Sequence, residues 1–162
     1  MMIDNCLGDM KMRPTLKIEY LPNYDSDWYK LANQPVDNAC FDLRACIHKH
    51  SITIAPGERA LIPLGIKTSF LQGYELQIRA RSGLALKHGI SLVNGIGTID
   101  SSYRDELCAI IINLGSEPFT INRGDRIVQA MLHKLDSYDI QIVDTVEDGI
   151  DRGGGFGSTG VE

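Results

Sequence analysis

An all-β sandwich or barrel is what this sequence predicts, on three observations. Short runs rich in Val, Ile, Thr and aromatic residues recur at even spacing along the chain. Each run stops at a Gly, Pro or Asn cluster, and no long amphipathic helical period appears between them. Many short strands punctuated this regularly build sandwiches and barrels, whereas parallel-sheet folds need long helical crossovers.

The elements follow in order. Leu16–Tyr20 alternates apolar and polar residues, and Ser51–Ile54 ends at Pro56-Gly57. Ala60–Phe70 is broken by Pro63 and Gly65, and Tyr74–Ala80 follows. Leu107–Leu114 ends at Gly115, and Phe119–Ile121 ends at Asn122-Arg123-Gly124. Ile127–Leu135 and Ile140–Val146 complete the expected strands. Only Gly83–His88 and Ser26–Ala32 have room for a helical turn, and Ser26–Ala32, before Pro35, reads as a surface loop. Residues 1–12 read as a flexible lead-in and 13–147 as one β-domain. Residues 148–162 read as a mobile arm, because five of the sixteen glycines fall in the last ten residues and such a segment buries too little to offset its ordering entropy.

Composition excludes several function classes. The formal net charge is −5, with 43% hydrophobic and 23% charged residues. Nucleic-acid and anionic-membrane binders need a basic excess that this chain lacks, so neither partner is expected. No apolar run approaches the roughly 20 residues of a membrane span, and the N-terminus has no signal-like apolar core. The expected location is therefore the cytoplasm, with Cys6, Cys40, Cys46 and Cys108 as reduced thiols. No C-x-x-C pair is present to suggest zinc, and the His48-x-His50 pair has no third ligand nearby.

Four clusters carry possible chemistry. Arg81-Ser82-Gly83 follows a strand and opens a short helical turn. A guanidinium, a hydroxyl and close backbone suit a phosphate there, although Ser82 as a simple helix N-cap explains the same residues. Asn94-Gly95-Ile96-Gly97-Thr98-Ile99-Asp100 begins with a strong hairpin signal and ends in a carboxylate that is either a turn cap or a positioned general base. Arg123-Gly124-Asp125-Arg126 reads as a tight turn with a charged rim. It feeds a strand whose Gln129 faces outward or toward a site. Arg152 to Gly160 sets one cation, one aromatic and two hydroxyls on a nearly featureless backbone, the makings of a lid.

Taken together and in this order, these clusters resemble the five motifs of the trimeric deoxyuridine triphosphate nucleotidohydrolases, from about Lys17 to Gly160. The first motif corresponds to Ala39-Cys40-Phe41-Asp42-Leu43-Arg44-Ala45 and the second to Arg81-Ser82-Gly83-Leu84-Ala85. The third runs from Asn94 through Tyr103-Arg104, the fourth from Arg123 to Gln129, and the fifth is the glycine-rich arm. The chain departs from the family pattern at Cys40 and Asp105, where Gly is usual, at Ala80, where Pro is frequent, and at Ser102, where Asp is frequent. The Pro22–Ala39 stretch is also longer than usual.

The resemblance implies a jelly-roll-like (β-clip) subunit with at most one short helix, assembled as a homotrimer with shared active sites. It implies hydrolysis of dUTP to dUMP and diphosphate by water attack at the α-phosphate with Mg²⁺, which lowers dUTP and supplies dUMP for thymidylate synthesis. Asp100 would orient and deprotonate the water, and Tyr103 would pack under the deoxyribose. Asn94 and its hairpin backbone would read uracil, with Gly97, Thr98 and Ile99 as further substrate contacts. Arg81, Ser82, Gly83 and Gln129 would hold the phosphate chain, and Asp42 would reach the metal through bound water. Arg152, Ser158 and Thr159 would close on the β- and γ-phosphates, with Gly157 beside them and Phe156 stacked on the base.

Two rivals remain at this level. A dCTP deaminase would carry a second Ser and an Ala-Arg after Arg-Ser, where this chain has Gly83-Leu84-Ala85. A catalytically idle nucleotide binder would have lost Asp100, Tyr103 or Phe156, all of which are present.

Overall fold

The structure, a computed structural model, describes residues 13–25, 27–28, 31, 38–146, 149 and 153–154. Among these there are eleven strands and one helix. The strands are β1 (Lys17–Tyr20), β2 (Phe41–Arg44), β3 (Ser51–Ile54), β4 (Arg59–Pro63), β5 (Ile66–Ser69) and β6 (Tyr74–Ala80). After helix α1 (Ser82–His88) come β7 (Ile90–Leu92), β8 (Ile96–Ile99), β9 (Cys108–Asn113), β10 (Phe119–Asn122) and β11 (Arg126–Lys134).

Every strand pairing is antiparallel. A four-stranded sheet runs β2-β11-β6-β8, and a three-stranded sheet runs β4-β9-β7. The pairs β1-β5 and β10-β3 flank them. Period-two alternation sets the core. Leu76 and Ile78 of β6 point inward, as do Ala109 and Ile111 of β9, and they meet Leu43, Ile62, Ile66, Ile121 and Val128. A register shift between Arg126 and Val128 lets β11 bury Ile127 and Val128 in succession, as a β-bulge does.

Of the buried polar side chains among the described residues, Thr68 leaves its hydroxyl without a partner and Asn113 is satisfied. Asn113, fully buried, donates from Nδ2 to the Ile54 and Glu117 carbonyls (2.9 and 2.8 Å) and accepts from the Gly115 amide. An unpaired amide at that depth would cost on the order of 1–3 kcal/mol.

Three expectations are corrected here. Ile140–Val146 forms no strand: Ile140, Ile142 and Val146 are more than four-fifths exposed and the segment has no ladder partner among the described residues. The Asn94-Gly95 turn does not close a hairpin. The strands on either side pair elsewhere, β7 with β9 and β8 with β6, so the turn carries the chain from one sheet to another. Arg123 is no rim charge: it donates to the Ile47 and Asn23 carbonyls (2.8 and 2.6 Å) and lies 5.3 Å from the Trp28 ring centre. The expected surface loop Ser26–Ala32 lies largely outside the described residues, but Trp28 is described and half-buried. Its ring covers Gly124, whose φ of +90° and lack of a side chain let the indole approach within 3.1–3.2 Å of where a Cβ would stand.

Candidate active site

Two clefts gather the chemistry-bearing residues. The first, about 420 Å³, is lined by Asp42, Arg81, Ser82, Gly83, Lys87 and Gln129, with Leu84 and His88. Register builds it. Asp42 on β2 is paired across from Gln129 on β11, and β11 pairs with β6, whose end delivers Arg81. Gln129 donates from Nε2 to the Ala80 carbonyl at 2.9 Å, which fixes the strand end just before Arg81. The Arg81 Nε lies 3.0 Å from one Asp42 oxygen, and Arg126 Nη1 lies 3.0 Å from the other. Arg81 also donates to the Arg126 carbonyl at 2.6 Å. One carboxylate thus aligns two guanidiniums and takes up part of their donors.

Helix α1 begins at Ser82, so the N-cap position falls on Arg81 rather than Ser82, and no side chain caps it. The cause is local: Arg81 keeps extended backbone (φ −90°, ψ 127°) as the continuation of β6. The first-turn amides are left without a side-chain acceptor. Gly83, in this turn, has ordinary backbone angles and nothing within 4 Å of where a Cβ would stand. The chain's own packing therefore does not demand glycine here, and the room lies on the cleft side.

The second cleft, about 250 Å³, joins apolar walls from Leu61, Ile78, Leu92 and Ile110 to Asn94, Gly97, Thr98, Ile99, Asp100 and Tyr103. Strand β8 lies against β6 with Gly97 opposite Ile78 and Ile99 opposite Leu76, and Asp100 emerges at its end. The Tyr103 amide donates to the Asp100 carbonyl at 3.1 Å, and the turn is clamped by Arg104, which donates to the Ser101 and Tyr103 carbonyls, both at 2.7 Å. The Tyr103 hydroxyl donates to the Glu106 carbonyl at 3.2 Å. Desolvation, then the charge of Asp105, holds this phenol above its ordinary range, so it stays neutral.

The structure therefore brings Asp42, Arg81, Ser82, Gly83 and Gln129 together in one cleft, and Asn94, Gly97, Thr98, Ile99, Asp100 and Tyr103 in the other. Arg152, Phe156, Gly157, Ser158 and Thr159 lie outside the described residues. Sequence reasoning missed Lys87 and Arg126, whose roles depend on register and helix phase. It also missed the apolar wall of Leu61 and Ile110, cross-strand partners on β4 and β9.

An anion-suited cleft and an apolar cleft bearing a carboxylate thus lie on one small antiparallel β-fold. Comparison with known proteins gives the family. The dUTPase family model matches residues 27–160. The deoxyuridine 5'-triphosphate nucleotidohydrolase of Caulobacter vibrioides is 48% identical over 128 residues, covering 78% of this chain and 82% of the relative. Its counterpart in Roseobacter denitrificans is 44% identical over 147 residues, covering 90% and 96%. Among solved structures, the dUTPase of Staphylococcus bacteriophage 80alpha with dUpNHpp shares the fold at a TM-score of 0.74 and 21% identity, over 91% of this chain and 99% of that one. The chain belongs to the dUTPase family. Its fold is the family's β-clip jelly roll, with one short helix among the described residues. Among the described residues no helix is long and apolar enough to cross a membrane.

Proposed function

We propose that this chain, whose family reaction is hydrolysis of dUTP to dUMP and diphosphate, performs it at sites assembled from more than one copy, a homotrimer. One observation carries this reading: Asp100 and Arg81 sit at opposite ends of β6. The register that sets Leu76 opposite Ile99 places Asp100 beside Glu75, and Arg81 stands six positions beyond Glu75. At about 3.3 Å per residue this is about 20 Å of strand, too long for both side chains to serve one α-phosphate. The two clefts also share no lining residue. A base from one copy facing a phosphate cleft from another resolves the separation.

In that assembly Asp100 takes a proton from the attacking water. The water oxygen bonds to the α-phosphorus, and the bond to the β-phosphate bridging oxygen breaks, releasing diphosphate. Tyr103, neutral and lining the second cleft, supports a deoxyribose and disfavours a ribose 2′-hydroxyl. Asn94, with Gly97, Thr98 and Ile99, lines the space for the uracil edge, while Arg81, Ser82, Gly83 and Gln129 hold the phosphates. From the arm, Arg152, Ser158 and Thr159 take the outer phosphates, with Phe156 over the base and Gly157 beside it. The fit to Mg²⁺ rests on the donor set. The phosphate cleft offers one carboxylate, Asp42, and among the described residues no cluster of three or more His, Cys, Asp or Glu side chains would cage an ion. This suits a cation that keeps most of its waters and takes phosphates as ligands. When bound, the ion neutralises phosphate charge. A dUTPase of phage phi11 from S. aureus is described with a structural Mg(II) ion. The reading also places the enzyme in the cytoplasm.

The test uses two inactive variants. Asp100→Asn and Arg81→Ala should each keep the fold and lose most turnover of dUTP to dUMP and diphosphate. Unfolded together and refolded as a mixture, they should regain about a quarter of wild-type activity, since sites receiving both intact residues form at random. Sites contained within single chains would regain none, and release of ammonia from dCTP by the wild type would point instead to a deaminase.

A further inference from the structure

We propose that Lys87 holds the terminal phosphate of the substrate, as a cation of the phosphate cleft that has no ion pair among the described residues. The inference rests on the triphosphate reading above and adds a residue to it. A nucleoside triphosphate brings several negative charges into a cleft that already contains Asp42. Arg81 faces the cleft, but its Nε is paired with Asp42 and its Nη1 is bonded to the Arg126 carbonyl. Arg126 spends Nη1 on the same carboxylate. Lys87 lines the cleft, is exposed, and makes no ion pair among the described residues.

Helix phase places it. Gly83 and Lys87 are four residues apart, so they lie on one face of α1, with Leu84 between them, and all three line the cleft. Four residues rise about 6 Å along a helix. The backbone at Gly83 would then meet the inner phosphates while the Lys87 side chain, on the same face, reaches the outer one. A lysine in the last turn also suits the helix dipole, and His88 beside it does the same. That explanation predicts an effect on helix stability and none on ligand choice, so the two are separable.

The experiment measures binding of α,β-imido-dUTP, dUMP and inorganic tripolyphosphate by calorimetry to the full-length wild type, Lys87→Gln and Lys87→Arg. Losing one charge-assisted contact should weaken the triphosphate analogue and tripolyphosphate by about tenfold or more in Lys87→Gln. Binding of dUMP should be unchanged, and Lys87→Arg should restore most of the loss. Equal affinities of Lys87→Gln and wild type for both triphosphates would overturn the proposal, as would an equal loss for dUMP. Product analysis of the wild type is a separate arm. A Lys87-dependent tripolyphosphate site in a protein that leaves dUTP intact would keep this inference and sink the substrate reading.

Discussion

Gly83→Ala separates the demands of the fold from those of the reaction. A Cβ at this position meets nothing within 4 Å, and the backbone there is ordinary helix. Within the chain the substitution removes unfolded-state freedom and raises helix propensity, worth about 0.4–1 kcal/mol of added stability. For a domain of this size that raises Tm by about 1–4 °C. The same methyl stands where a phosphate would approach the first-turn amides, whose hydrogen bonds need donor–acceptor distances near 2.9 Å. Displacing the phosphate chain by about 1 Å costs on the order of a hundredfold in rate. The assay pairs calorimetric melting at fixed protein concentration with steady-state release of diphosphate from dUTP. A stabler and much slower enzyme is the expected outcome. Turnover within about threefold of wild type would show that no phosphate passes Gly83, and a falling Tm would show that the open space is filled in the assembled protein.

Two other predictions concern the fold itself. Burial pushes the Cys46 thiol from an ordinary 9.0 up to about 12 and the Tyr24 phenol from 10.0 to about 12, each against a partial pull downward from a nearby arginine. Both groups are neutral in the fold while the unfolded chain ionises first, so stability should be level below the unfolded values and fall as pH rises toward 12. Urea midpoints at pH of about 8 and about 10.5 check this, and equal midpoints would contradict it. Trp28→Ala should cost about 2 kcal/mol by opening space over Gly124 and removing the ring against Arg123. Denaturant titration measures it, and a loss below about 0.5 kcal/mol would mean the indole is an ornament of the surface.

The parts of the fold that were legible are those in which local chemistry and tertiary context agree. Tyr74–Ala80 and Ser51–Ile54 are strands as their alternation requires, and the residues after Arg81 form the one short helix. Three strands escaped notice. In β2 only Leu43 is fully buried, between the polar Asp42 and Arg44; β7 has three residues; β8 carries a glycine. Ile140–Val146 erred the other way, because alternation reports which face a strand would bury and says nothing of whether a partner exists. The site divides similarly. Asp100, Arg81 and Asn94 stand out through their motifs, whereas the pairing of Asp42 with both Arg81 and Arg126 depends on β2-β11-β6 register across 39 and 84 residues of chain. Trp28 and Arg123 join the irregular segment after Asn23 to a turn about a hundred residues later, and no local pattern announces such a contact.

The placement of charge along β6 ties these observations together. A chain of net charge −5 must bind a polyanion without setting its own carboxylates against it. Asp42 does not oppose the ligand freely, because two guanidiniums hold it in place. On the proposed mechanism Asp100 must stand close to the reacting phosphate to accept a proton. In a single chain it is kept at the far end of β6, about 20 Å from the cationic cleft, and the cleft fills without meeting it. On the proposed assembly a second copy supplies the other half, so a lone chain would bind phosphate without turning it over and catalysis would be a property of the interface.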